Sequence, residues 1–521
     1  MVFNRLSIFI LLVILCPAIV NAQSFSDRLK AFVSSDSFPA SGIKYPKEVR
    51  EFYGLNGHGF SWLTKQNSSN LTLLAGNIQS AETFGLAQGD YQPGLLKAYR
   101  SAQLPAASEY DSLVAEIQFT DAAIHFLHDL MLGNKTEPLG YHGVKYSPSC
   151  YNIPALLNAY LSFGRFPVMM AELEPRQAEY LAVRSKLNLF QRTMAAAGFK
   201  DAVVKTSKIL RTNKALLTRL YQLGFFPSDT LTLSEAAVKT KLKEAQNLFS
   251  LLSDGALRST IVQALNVPLH VRVTELKITL NSIRWLHCIK QEQHVVMVNI
   301  PSATLLLYEH GKVVMESRII VGKRSTPTPT LSSTITKVIL YPYWNVPYKI
   351  ATKELLPYIK RNPGYLNANN YQVLNSNGKV VNPGSVNWSA LGPGNFPYTI
   401  RQSTGCDNAL GLIKLNFYNP FTVYLHDTPG KSLFGLNKRY FSHGCMRVEK
   451  AMNLGRYILK DNSIAIDTLT EKGCLKNLSP IVVPATEKIP VFVLYHTAWI
   501  DSAATLRFYE DVYNKLAAIM R

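Results

Sequence analysis

The hydrophobic pattern of this chain changes period near residue 295, and that change constrains the fold more than any other feature. From there the apolar residues fall into short alternating, β-branched runs: Val295-Val296-Met297-Val298-Asn299-Ile300, then Thr304 to Tyr308, then Val313 to Val321. Turn formers such as His310-Gly311 and Gly322 bound them. A two-residue period turns one face of each run to a core, so this half begins as antiparallel sheet. Residues 23 to about 165 read instead as mainly helical. Thr120 to Met131 carries Ala122, Ile124, Phe126, Leu127 and Leu130 on one broad apolar face and meets a stop at Gly133. A second helical region includes Arg176 to Ala196 and Asp201 to Leu223. Helices first and strands afterwards make an α+β fold.

Between Trp344 and Thr399 the sheet pattern lapses. A helix-like stretch, Thr352 to Lys360, is followed by a segment rich in Asn, Gly and Pro up to Pro397. Such an insertion in a β-domain reads as a lid or binding lobe rather than as a long passive loop. Lys450 to Leu459 reads as a helix, Ile489 to Tyr495 as a strand, and Phe508 to Met520 as a last helix.

The first 22 residues have the form of a secretory signal: Arg5 precedes an apolar run from Leu6 to Val20, and Val20-Asn21-Ala22 suits cleavage. Cys16 lacks the small residue expected before a lipidated cysteine. No later apolar run approaches the length of about 20 residues that spans a bilayer, so no transmembrane segment is expected. The formal net charge is +20 over 521 residues and falls by one when Arg5 leaves with the signal. The basic residues form no long run, which argues against nucleic acid as partner and, in an exported chain, leaves an anionic envelope polymer or membrane surface, or a solvated basic surface with no specific partner.

Cleavage leaves Cys150, Cys288, Cys406, Cys445 and Cys474. An odd number in an exported protein leaves at least one thiol unpaired. Cys445 is the candidate, because it lies in Tyr440-Phe441-Ser442-His443-Gly444-Cys445-Met446-Arg447-Val448, nineteen positions after His426 in Leu425-His426-Asp427-Thr428-Pro429. The other four are left as up to two disulfides or as small buried residues. A free thiol has a pKa near ~8.5, so a nucleophilic cysteine needs a base to take its proton. His443 and His426 are both available, and spacing alone does not choose between them. His426, His443 and Cys445 are also chemically suited to zinc, although a thiol mechanism needs no metal. His125 and His128 lie one turn apart without a third ligand, which favours packed or surface histidines.

Residues from about 295 to 470 resemble the catalytic domain of the cysteine-dependent L,D-transpeptidases of bacterial peptidoglycan. Six pieces occur in order: Val321-Gly322-Lys323 with Thr326-Pro327-Thr328-Pro329, Trp344-Asn345-Val346-Pro347, Arg401-Gln402 with Gly405, Asn408-Ala409-Leu410-Gly411, His426-Asp427-Thr428-Pro429, and Ser442 to Val448. The rest is similar to the large Gram-negative subgroup. Phe52-Tyr53, Phe60-Ser61-Trp62-Leu63, Gly85-Leu86 and Thr120-Asp121-Ala122 resemble its scaffold, Arg272 to Leu286 its return segment, and Pro490-Val491 to Asp511-Val512-Tyr513 its C-terminus. The resemblance implies a helical scaffold over 23–205, a peptidoglycan-binding-like module over 206–270 and a return segment over 271–292. A mainly β catalytic domain then covers 293–470, with a capping lobe at 345–399, and an extension covers 471–521. In the module, Arg258 and Ile261 stand where the family has a glycine and a threonine, and Ala245-Gln246 where it has Phe-Gln. Glycan binding by that module is therefore not carried over.

The same resemblance implies a periplasmic enzyme that makes 3→3 cross-links. Cys445 would attack a tetrapeptide stem and release D-alanine, and the diaminopimelate amine of a second stem would resolve the thioester. His426 would be the proton acceptor and donor, His443 a supporting group, and Gly444 a point of close backbone approach beside oxyanion-binding N–H groups. Arg447 would bind a substrate carboxylate or lock the loop, with Tyr424, Asn408, Trp344 and Ser442 as further substrate-binding candidates. No cofactor is implied, and carbapenems are expected as inhibitors. An L,D-carboxypeptidase, an enzyme attaching proteins to peptidoglycan and a non-catalytic peptidoglycan-binding protein remain the alternatives.

Overall fold

The computed structural model describes residues 25–519, apart from 36–37, 39–41, 64–66, 93, 95–108, 229–232, 461–465, 467–473 and 475–477. The expected signal at 1–22, with Cys16, lies outside the described residues. The fold is α+β, and the chain divides into two compact units.

The first unit takes in Met1–Gln79, Gln88–Leu127 and Asn152–Glu172. Its α-helices include Phe25–Ser34, Pro46–Leu55, Ser68–Gln79, most of Glu109–Leu132, Ile153–Ser162 and most of Phe166–Leu173. Phe52, Tyr53, Trp62, Phe119, Phe126 and Phe166 are buried at its centre. The motifs at 60–63 and 120–122 are explained by two carboxylates. Glu116 is buried and accepts the backbone N–H groups of Ser61, Trp62 and Leu63 at 2.5, 3.2 and 3.0 Å. Asp121 likewise accepts those of Lys44 and Tyr45 at 3.0 and 2.8 Å. Burial pushes the Glu116 carboxyl up to about 7 against the pull of the three N–H groups. Removing it leaves the buried N–H groups of Ser61 and Trp62 and the half-buried one of Leu63 without their acceptor, each buried donor costing about 1–3 kcal/mol. Glu116→Ala is therefore expected to destabilise this unit by about 3 kcal/mol, read as a fall in the urea midpoint of its unfolding. His125 packs beside the rings of Tyr45 and Tyr91 at 5.5 and 4.6 Å. Among the described residues no three His, Cys, Asp or Glu side chains gather as a metal site would need. No helix there is long and apolar enough to cross a membrane.

The second unit takes in Ser80–Ala87, His128–Tyr151 and Leu173–Arg521. In chain order its strands are β1 Val295–Asn299, β2 Thr304–Glu309, β3 Lys312–Gly322, β4 Leu331–Leu340, β5 Trp344–Asn345, β6 Tyr371–Leu374, β7 Val380–Val381 and β8 Thr399–Gln402. They continue as β9 Ile413–Phe417, β10 Leu425–His426, β11 Tyr440–Ser442, β12 Met446–Val448, β13 Ile481–Leu494, β14 Ala498–Ile500 and β15 Leu506–Phe508. The main sheet runs β11-β3-β12-β10-β9-β4-β13-β1-β2, and β2 also pairs with β3, so the sheet closes on itself. Val298, Leu305, Ile319, Val338, Leu415, Leu425, Met446 and Val491 fill its interior, with the helix Ala451–Leu459 packed there through Leu454 and Ile458.

Helices Ala178–Ala195, Lys214–Gln222, Glu235–Leu248, Ser259–Leu265 and Leu269–Trp285 share a second core with the hairpin β14–β15. Helix was expected over all of 201–223. It starts only at Lys214, because the Asn213 side chain caps it by accepting from Leu216 N–H at 3.0 Å. Asp201, outside the helix, pairs with the buried Arg219 at 2.7 Å and accepts from Leu269 N–H at 2.9 Å. In the 206–270 module the residues singled out by sequence contact one another. Gln246 donates to Asp254 and Ala256 and accepts from Gly255 N–H, Arg258 pairs with Asp254 at 2.6 Å, and Ile261 is buried in the core.

Two further expectations are corrected. The stretch 344–399 holds a sheet of its own, β5-β8-β6-β7, packed on the helical segments between Tyr348 and Ala368 around Leu356, Ile359, Leu366, Val373 and Trp388. The expected last helix from Phe508 is β15 followed by a short helix, Leu516–Ile519, because Leu506–Phe508 pairs with Ala498–Ile500. Cys150–Cys288 and Cys406–Cys474 are disulfides, and among the described residues Cys445 is the free cysteine.

Candidate active site

Strand pairing assembles the site on the outer face of the closed sheet. β10 runs parallel to β12, with Leu425 opposite Met446 and His426 opposite Arg447. On its other side β10 is antiparallel to β9, with His426 opposite Lys414. Since Leu415, Leu425 and Met446 point into the core, alternation turns Lys414, His426 and Arg447 outward in one row. Cys445 lies two residues before Arg447, at the head of β12.

His426 is buried. Its Nδ1 lies 2.5 Å from the Asp427 carbonyl, which fixes the tautomer that leaves the lone pair on Nε2. Burial, then the Arg447 and Lys414 charges, hold the imidazole far down, at about 3. It is thus neutral around pH 7, the state in which it can accept a proton. The Asp427 carboxylate faces the other way, accepting from Leu412 N–H at 3.1 Å and pairing with Lys431. Gly411, at φ +62°, leaves the space for it, since a Cβ there would lie 2.3 Å from Asp427 Oδ2. The Asn-Ala-Leu-Gly and His-Asp-Thr-Pro motifs are two halves of one junction.

Tyr424 and Cys445 are neighbours across the β10–β12 pair, each one residue before the opposed Leu425 and Met446. Burial pushes the thiol up, while Tyr424, Lys414 and Arg447 pull it down. Looser nucleophile–base geometry is common without substrate. Tyr424 packs its ring 5.6 Å from that of His426.

His443 does not share a face with Cys445, as an extended segment would require. Gly444 sits at φ +116°, so residues 443–445 bend between β11 and β12. The His443 ring is turned out to the lobe, 2.7 Å from Glu354 Oε1 and 3.4 Å from Lys323 Nζ. Gly444 N–H donates to Ser442 Oγ at 3.1 Å, and Ser442 Oγ donates to the Cys445 carbonyl at 2.5 Å. Ser442 is buried and shapes the loop, so it is not placed to hold substrate. Thr328 fastens the same loop, donating to the Gly444 carbonyl at 2.8 Å, and Tyr513 donates to the Gly322 carbonyl at 2.6 Å.

Asn408 is likewise a structural residue rather than a substrate contact. It is fully buried, and its amide reaches the carbonyls of Ser403 and Pro342 at 2.8 and 3.2 Å, tying together the two stems of the lobe. Trp344 pairs with Gln402 at the lobe root and packs on the lobe core near Tyr371. Arg447 is half-buried, and no acidic partner is found for it among the described residues. Sequence reasoning missed Lys414, whose Nζ sits 3.8 Å from the Tyr424 ring centroid, and Glu354. Lys414 had one local signal, an outward cation inside the alternating run Ile413 to Phe417.

Residues 293–466 match the YkuD family, described as the L,D-transpeptidase catalytic domain, and residues 47–187 match a scaffold domain. A Haemophilus influenzae protein named "Putative L,D-transpeptidase" is 38% identical over 239 residues, 46% of this chain and 47% of the relative. The chain thus spans about half the length of that curated relative. An L,D-transpeptidase from Mycobacterium smegmatis and the avibactam carbamoyl enzyme of Ldtfm are solved structures with 15% identity to it. Each covers 39% of this chain, over 58% and 49% of their own, at TM-scores of 0.19 and 0.18, and likeness at that level adds nothing to the assignment. Residues 293–466, which carry Cys445 and His426, thus match an L,D-transpeptidase catalytic domain, with a scaffold domain before it in the chain.

Proposed function

We propose that the protein is exported to the periplasm and forms 3→3 cross-links in peptidoglycan through a thioester on Cys445. The carrying observation is a free thiol on the strand pair that holds a neutral, buried imidazole and a half-buried guanidinium with no acidic partner among the described residues. The thiol proton moves to His426 Nε2 and the sulfur attacks the carbonyl at the L-centre of the third residue of a tetrapeptide stem. The oxyanion is met by backbone N–H; that of Gly444 is engaged by Ser442, which leaves Cys445 N–H as the nearer donor. His426 returns the proton to the leaving nitrogen, D-alanine departs and a thioester remains. The diaminopimelate amine of a second stem then attacks, passes a proton to His426, and leaves as an amide while the thiol re-forms. Arg447 supplies a fixed fork for a stem carboxylate. A carbapenem presents a strained acyl donor to the same sulfur and is expected to acylate it.

The test is incubation of the mature protein with disaccharide-tetrapeptide, followed by mass spectrometry of the products. A cross-linked dimer, lost in Cys445→Ala, is the expected result. Tripeptide alone would make the enzyme a carboxypeptidase, and unchanged substrate would leave a peptidoglycan-binding protein.

A further inference from the structure

Lys414 has no part in the mechanism above, yet its placement is costly unless an anion faces it. It stands on β9 opposite His426, which in turn stands opposite Arg447 on β12, so two cations flank one buried imidazole in a single cross-strand row. Lys337 on the neighbouring β4 adds a like charge that disfavours the Lys414 ammonium. Lys414 has no ion pair among the described residues. Its ammonium lies over the Tyr424 ring at 3.8 Å, and Tyr424 is the neighbour of Cys445 across the β10–β12 pair. The charged and titratable groups around that sulfur come from each neighbouring strand: Lys414 on β9, His426 on β10 with Tyr424 just before it, and Arg447 on β12. Lys337 on β4 acts on Lys414 in turn. The nearby carboxylates are engaged elsewhere, Asp427 with Lys431 and Leu412, and Glu354 with His443.

We propose that Lys414 is a positioning residue for the nucleophile, its ammonium held over the Tyr424 ring so as to stabilise the thiolate of Cys445. The proton lost by the sulfur goes to His426, and Lys414 keeps its own. Burial lowers the Lys414 ammonium, and the charge of Cys445 is the influence that raises it again. The proposal rests on Cys445 acting as a nucleophile, but not on any particular acceptor.

The test is the pH dependence of Cys445 alkylation by iodoacetamide, a reaction in which the thiolate displaces iodide without needing peptidoglycan. It is measured without reductant on the folded wild type, Lys414→Met, Lys414→Gln and Lys414→Arg, each checked by thermal unfolding. The neutral variants are expected to move the midpoint up by about one pH unit and to slow alkylation about tenfold at neutral pH, while Lys414→Arg stays near wild type. The two neutral replacements differ in shape, so either folded one suffices. A wild-type midpoint in a neutral variant overturns the proposal, and so does an arginine variant shifted as far as methionine. An unchanged midpoint with a raised KM for tetrapeptide would make Lys414 a substrate-binding group instead. A wild type that forms no cross-links, yet shows the shift on losing Lys414, would overturn the proposed function and leave this inference standing.

Discussion

Cys445→Ala is expected to abolish turnover, by at least about 10⁴-fold, while the protein still folds. Among the described residues no other cysteine is available as nucleophile, because Cys150–Cys288 and Cys406–Cys474 are paired. The loop that carries Cys445 is held by bonds that do not involve its side chain, from Ser442 and Thr328 to the carbonyls of Cys445 and Gly444. Removing one sulfur should therefore cost only about 1 kcal/mol, within the usual range for a point mutation. Steady-state turnover beside thermal unfolding separates the two effects. An inactive protein that is also unfolded would show that the thiol is needed for packing.

His426→Ala is expected to lower kcat/KM about 10²- to 10⁴-fold at neutral pH, the usual contribution of a general base. The loss should shrink as the pH rises, because the thiol then ionises without help. The ring is held at about 3 by burial and by the Arg447 and Lys414 charges, so it stays neutral as the pH falls from 7 towards 5. The wild-type acid limb should accordingly lack a step near ~6.5, where an ordinary imidazole titrates. His443→Ala should cost far less, since that ring faces Glu354 on the lobe. A full rate in the His426 variant with a large loss in the His443 variant would reverse the assignment of the base.

The change of period at Val295 showed where the sheet starts because alternation over five or more residues is a local signal, and β1 to β3 lie where it placed them. Cys445 could be read because an odd cysteine count and a dense motif converge on it. The lobe sheet was missed, since β5 and β7 are two residues long and the partner of β5, β8, is remote in sequence. Asn408 and Ser442 lie in the right motifs, yet their polar atoms turn inward to backbone groups, a direction set by tertiary packing. Lys414 was missed for a related reason. Its proximity to His426 is a matter of register between strands, and nothing in the sequence of β9 states which strand it will pair with.

The most direct measurement is the intact mass of the protein after mixing with a tetrapeptide donor in the absence of acceptor. The account predicts a gain equal to the donor minus D-alanine, carried on the proteolytic peptide that contains Cys445 and absent from Cys445→Ala. D-alanine release without any adduct, or an adduct that persists in Cys445→Ala, would contradict a thioester on this cysteine.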